Sequence, residues 1–225
     1  MNDFARLIEN VDKTNKTNDK VLALENYFKT ASNEDKVWAI ALFSSKRPKR
    51  AINSSKLREY AAELANIPLW LFEESYHIVG DLAETISLIV PNSENKISCK
   101  NLSQYICEIN NLKNLEEDGQ KQYLFDCWLS MDYYSRFVFN KIITGGFRIG
   151  VSQKLMTRSL ANVTGIDKDT IAYQIMGDWS PDNITFDELI LSPSKDSFFY
   201  KPFPFYLAYA LDVNLNQLGD PNDWV

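Results

Sequence analysis

Ahead of residue 144 the chain holds only two glycines, Gly80 and Gly119, and three prolines, Pro48, Pro68 and Pro91. These two residue types are the strongest breakers of regular structure. Their scarcity commits this stretch to helices wherever apolar residues recur every three or four positions, and they do so repeatedly. Residues 4–11 set Phe4, Leu7, Ile8 and Val11 on one face, and residues 18–30 do the same with Val21, Leu24, Tyr27 and Phe28. Ser32, with Asp35 three positions on, predicts a capped third helix with the stripe Val37, Ala41, Leu42, ending near Phe43. Beyond a polar loop, Ser44–Asn53, either Ser54 or Ser55 suits the cap of a helix carrying Leu57, Tyr60, Ala61 and Leu64, and Pro68 suits the first turn of the next. Helical spacing continues over about 77–89, 102–111, 115–130, 133–143, 152–164 and 167–176, giving roughly eleven short helices. Their lengths follow no fixed period, which disfavours a regular solenoid.

The expectation is an all-α, compact multi-helix domain over residues 1–195. After Ser192 the prolines cluster, and the aromatic run from Phe198 to Tyr209 favours extended or loop structure. Residues 196–225 are therefore expected as a separate, short extended segment. With 45% of 225 residues hydrophobic, the helical part has ample material for a core. No apolar run reaches a membrane span, and the first residues lack a signal-peptide core, so no membrane partner is expected. Cys99, Cys107 and Cys127 are odd in number and form no C-x-x-C pair, which fits free thiols in a reducing cytoplasm.

The formal net charge of -6 argues, taken alone, against a nucleic-acid partner. Its distribution argues the reverse. Between Asp35 and Glu59 there is no acidic residue, while Lys36, Lys46, Arg47, Lys49, Arg50, Lys56 and Arg58 are all positive. Between Asp132 and Asp167 acids are again absent, and Arg136, Lys141, Arg148, Lys154 and Arg158 are positive. If the two windows meet in space, a net-acidic chain presents a strongly positive surface. In the first, Ser44-Ser-Lys-Arg-Pro-Lys-Arg50 reads either as a phosphate-binding loop stiffened by Pro48 or as a localisation-like basic tract. In the second, Thr144-Gly-Gly-Phe-Arg-Ile-Gly-Val-Ser-Gln153 reads either as a plain inter-helix turn or as an anion-binding turn. In the binding version, Gly145, Gly146 and Gly150 permit close backbone approach and Ser152 caps a helix whose first N–H groups face outward. Phe147 and Ile149 would then bury and fix Arg148 between them.

Catalytic patterns are missing. Gly145 and Gly150 satisfy G-x-x-x-x-G, but Val151-Ser152 stands where a triphosphate-binding loop needs Lys-Ser/Thr. His77 is the only histidine and reads as a packed or capping residue. Glu73-Glu74 and Glu116-Glu117-Asp118 read as solvated helix surface. No cofactor or metal site is expected in these residues.

The segment from Asp132 to Leu155, with Arg136, Lys141, Thr144, Gly145, Gly146, Arg148, Gly150, Ser152, Gln153 and Lys154 in it, resembles the signature of the N-terminal DNA-binding domain of ATP-dependent DNA ligases, bacterial ones above all. Ser44–Arg50, which carries Lys46, Arg47, Lys49 and Arg50, resembles a further segment of that family, as do Gly80-Asp-Leu-Ala-Glu84 and Met176-Gly-Asp-Trp179, all in the family's order. The resemblance implies an all-helical domain that grips the minor-groove face of nicked duplex DNA through backbone phosphates. It also implies that Gly145, Arg148 and Gly150 lie against the DNA. A helical protein-interaction domain without nucleic-acid binding is the alternative.

Lys201-Pro-Phe-Pro-Phe-Tyr-Leu-Ala208 resembles the family's entry into a nucleotidyltransferase domain, and Gly219–Val225 resembles the stretch just before its K-x-D-G motif. That motif's lysine attacks ATP; the nearest echo here, Glu116-Glu-Asp-Gly119, has glutamate in its place, which cannot be the nucleophile. The resemblance thus implies a ligase fragment whose nucleotidyltransferase and OB-fold domains, with their ATP and Mg, belong to a longer parent that acts in DNA replication, repair or recombination.

Overall fold

The computed structural model describes residues 1–91, 100–147 and 149–192, which carry eleven α-helices and no strand. They are α1 (Asn2–Asp12), α2 (Thr17–Thr30), α3 (Asn33–Phe43), α4 (Ser54–Leu64), α5 (Leu69–Val79), α6 (Leu82–Ile89), α7 (Leu102–Asn111), α8 (Glu117–Ser130), α9 (Tyr133–Thr144), α10 (Gln153–Thr164) and α11 (Lys168–Ile175). A 3-10 turn, Leu112–Asn114, follows α7, and a π turn, Asp187–Leu191, packs on α11. The expected boundary at 195, the arm at 196–225 and Cys99 lie outside the described residues.

The single helix expected over about 77–89 is two. Gly80 takes the left-handed conformation at φ 77° and donates its N–H to the Tyr76 carbonyl at 2.8 Å, ending α5. The Asp81 carboxylate then accepts from the Glu84 N–H at 3.0 Å and starts α6. Apolar spacing runs straight through this point, but a stop and a start side by side outweigh it. Two other ends move by one residue. Asn53, not Ser54 or Ser55, caps α4 by accepting from the Ser55 N–H, and Pro68 precedes α5 as its cap. His77 is exposed in the last turn of α5, stacked on Tyr76, rather than packed or capping.

Helix α3 is buried on every side from Val37 to Phe43, so it forms the centre rather than an amphipathic wall. Its start is tied to α7: the Asp35 carboxylate accepts from the Leu102 and Ser103 N–H groups at 3.2 and 2.8 Å. One buried carboxylate therefore serves the positive end of a second helix. Helix α9 packs on α1, α6 and α7, and α10 packs on α2 and α11. A buried polar chain joins three of these elements. The Trp128 indole donates to Asn140 Oδ1 at 2.8 Å, and Asn140 Nδ2 donates to Ser87 Oγ at 3.3 Å. Helices α3 and α9 both end at one surface, where the Phe43 and Phe147 rings lie 6.0 Å apart. The two loops that leave those ends form the site below.

Candidate nucleic-acid interface

The chain leaves α3 by an abrupt reversal. Ser45 sits in the left-handed region at φ 64°, the Lys46 N–H reaches back to the Ala41 carbonyl at 2.8 Å, and the Ser45 N–H to Leu42 at 3.2 Å. A serine where glycine is usual costs about 1–2 kcal/mol. The reversal lays Lys46–Arg50 across the surface as a strap, with Arg47, Lys49 and Arg50 exposed.

The partner loop begins where Gly145, at φ 70°, ends α9. A Cβ added there meets nothing within 4 Å, so the outer side of the turn is open to a close neighbour. Phe147 is buried and stacks on Phe4 with rings 5.8 Å apart and nearly parallel, while Ile149 is half-buried against the same core. The turn is thus pinned at both positions flanking Arg148. Ser152 then accepts from the Leu155 N–H at 3.2 Å and opens α10.

Strap and turn are joined by two arginines. Arg47 donates through Nη1 to the Gly145 carbonyl at 2.5 Å and through Nη2 to Phe147 at 3.5 Å. Arg50 donates to the Thr144 carbonyl at 2.8 Å. The Thr144 and Gly145 carbonyls close α9, whose C-terminal end is the negative pole of its dipole, so two cations complement it. Among the described residues no carboxylate pairs with Arg47, Lys49 or Arg50. Their charge is therefore available to an external anion. The two acid-free windows meet.

The other expected site residues divide. Gly146, Gly150, Ser152, Gln153 and Lys154 are exposed along the same turn and the first turn of α10. Lys46 is half-buried and holds the strap's far edge, donating to the Gly177 carbonyl at 3.0 Å with its ammonium 5.0 Å from the Trp179 ring centre. The Thr144 hydroxyl is occupied within α9 by the Asn140 carbonyl. Arg148 lies outside the described residues.

Arg136 and Lys141 do not reach this surface. Arg136 is fully buried, donating to Ser87, Val90 and Pro91 carbonyls at the end of α6 and to Trp128 and Met131 carbonyls at the end of α8. Burial pushes its guanidinium pKa below the ordinary value, partly offset by Asp132. Its ligands are the negative poles of two helices, so it is a structural cation. Lys141 is buried against Asp81 in an ion pair. Three more cations of the first window are engaged elsewhere: Lys56 pairs with Glu117, Lys36 sits over Phe186, and Arg58 pairs with Glu73 while lining a cleft with Arg50, Thr144 and Gly146.

The structure adds residues the sequence pattern does not mark. Lys20 of α2 brings its ammonium to 3.3 Å from the Gly150 carbonyl. Beside the strap lies a cleft of about 630 Å³, walled by the strap, Trp38, Lys113, Trp179 and Asp182 among others. Trp179 is fixed there by its indole N–H, which donates to the Ile175 carbonyl at 2.7 Å. Neither Lys20 nor Lys113 lies in an acid-free basic window, so only the fold brings Lys20 to the turn and Lys113 to the cleft beside it. No group of three or more histidines, cysteines and acids suited to a metal occurs among the described residues, and no described helix is long and apolar enough to cross a membrane.

The model of the family described as DNA ligase N terminus covers residues 1–179, from the first helix to Trp179. No curated protein matches the chain.

Proposed function

We propose, given that this chain belongs to the DNA ligase N-terminus family, that it grips nicked duplex DNA through backbone phosphates and presents the nick to catalytic domains of a longer parent ligase. The observation that carries this reading is the pair of arginine bonds joining Lys46–Arg50 to Thr144–Phe147, which merges two acid-free windows into one positive face. Arg47, Lys49, Arg50, Gly145, Gly146, Gly150, Ser152, Gln153 and Lys154 make up that face, with Lys46 holding its edge, and Arg148 is assigned to it from its place in the sequence between Phe147 and Ile149. It is built from loops and a helix start, which suit phosphates, and it offers no helix to read the major groove. Binding is therefore largely independent of base sequence. Nick sealing itself uses ATP and Mg, bound by the nucleotidyltransferase and OB-fold domains of the parent, in replication, repair or recombination in the cytoplasm. No K-x-D-G lysine occurs in these 225 residues, so the chain by itself forms no AMP adduct.

A salt titration of binding to a nicked duplex tests this. If about five phosphates are neutralised, log K falls against log salt with a slope near -4.5. A slope near zero, or strong preference for one sequence, sinks the reading. The second reading, a protein-interaction domain, draws on α5, where Trp70 and Ile78 are 66% and 86% exposed. It predicts partner binding that barely responds to salt.

A further inference from the structure

We propose that the cleft between the strap and Trp179 receives an unpaired DNA strand, distinct from the duplex that the glycine turn engages. The proposal shares with the reading above the assumption that the ligand is DNA, and goes beyond it in assigning a second site. Size decides the form of the ligand. About 630 Å³ is the scale of a small-molecule pocket, room for roughly one or two nucleotides and not for a duplex. Charge decides its sign. The strap's cations and Lys113 line the cleft against the single carboxylate of Asp182. Lys113, in the 3-10 turn after α7, is exposed and has no hydrogen-bond or ion-pair partner among the described residues. The indole of Trp179, half-buried and locked by its bond to Ile175, lines the cleft as a rigid aromatic wall; Lys46 covers one face with its ammonium 5.0 Å from the ring centre, so an unstacked base packs against the part of the ring that Lys46 leaves to the cleft. Cations along a groove with an aromatic platform are the general recipe for single strands. Continuity selects a strand over a free nucleotide: the strap that faces the glycine turn is also a wall of the cleft, so a strand peeling from the bound duplex passes directly into it.

Lys113 belongs to the cleft and not to the strap–turn face, so it separates the two sites. The 225-residue chain and its Lys113→Glu variant are titrated with a labelled short oligothymidylate and with a fully paired nicked duplex, following anisotropy and tryptophan emission. The oligothymidylate is expected to bind the native chain and quench its emission. Lys113→Glu is expected to weaken that binding several-fold and lower the single-strand salt slope by more than the roughly 0.7 that losing one phosphate contact costs. Its melting temperature and its duplex affinity are expected to stay unchanged. Lys113→Ala moves the same way by less, and Trp179→Phe, folded, loses most of the quench. Equal loss for both ligands, no loss for either, or displacement of the oligothymidylate by ATP at matched nucleotide concentration each overturns the proposal. Native binding to the oligothymidylate without binding to the nicked duplex would instead sink the duplex-grip reading and leave this one standing.

Discussion

Arg47 closes its hydrogen bond on the carbonyl of Gly145, the residue that ends α9, and so a strap cation doubles as a helix cap. The same guanidinium that fixes the loop geometry keeps its charge at the surface. Structure and electrostatics are thus carried by one side chain, and its removal separates into two measurable losses.

Arg47→Ala is expected to weaken nicked-duplex binding by about 1–3 kcal/mol and to lower the salt slope by roughly one. Arg47→Lys restores part of the loss, because an ammonium keeps the charge but not the fork that spans the Gly145 and Phe147 carbonyls. Filter binding across a salt series, with thermal melts on the same preparation, checks both variants.

Arg148→Ala is expected to cost a similar 1–3 kcal/mol of binding while leaving the melting temperature in place. The turn keeps its anchors, since Phe147 and Ile149 pack on the core without it. A folded variant with native affinity and native salt slope would remove Arg148 from the interface.

For Arg136 the opposite pattern is expected. Arg136→Met strands the carbonyls that end α6 and α8 and should destabilise the fold by about 3–5 kcal/mol, as breaking a buried charge network does. Arg136→Lys is destabilising too, because one ammonium cannot serve both helix ends. Urea denaturation measures the loss, and duplex affinity corrected for the folded fraction should not change.

Thiol chemistry offers an independent check on the core. Burial pushes the Cys127 thiol up to about 12, against weaker opposing effects of Tyr123 and Lys100, so almost no thiolate exists at neutral pH. Cys107 is exposed. Iodoacetamide followed by peptide mass spectrometry should label Cys107 in the native chain and reach Cys127 only after denaturation.

Helices were legible in the sequence because their signal is local. Phe4, Leu7, Ile8 and Val11 reveal a face within three turns, and all four are buried. The split at Gly80 and Asp81 was missed because apolar spacing continues across it, although a glycine followed by a capping aspartate is itself a readable stop and start. Charge was legible as a one-dimensional density, which pointed to both loops. It gave no depth. Arg136 looks like Lys154 in such a count, yet one is buried and donates to carbonyls at the ends of two helices while the other is exposed. What distinguishes them is α9, buried along most of its length from Ser135 to Ile143, and that burial depends on α1, α6 and α7 folding around it.

The bonds that join strap and turn span 94 to 100 residues of chain. Loop closure over such a separation carries an entropy cost that local helix contacts do not meet. The positive face therefore cannot close until both segments, on either side of α4–α9, have been synthesised and brought together. A nascent or partly unfolded chain carries both basic segments but not their union, so binding competence arrives together with the native state rather than growing with chain length. The grip is thus a property of the folded chain and not of either basic segment by itself.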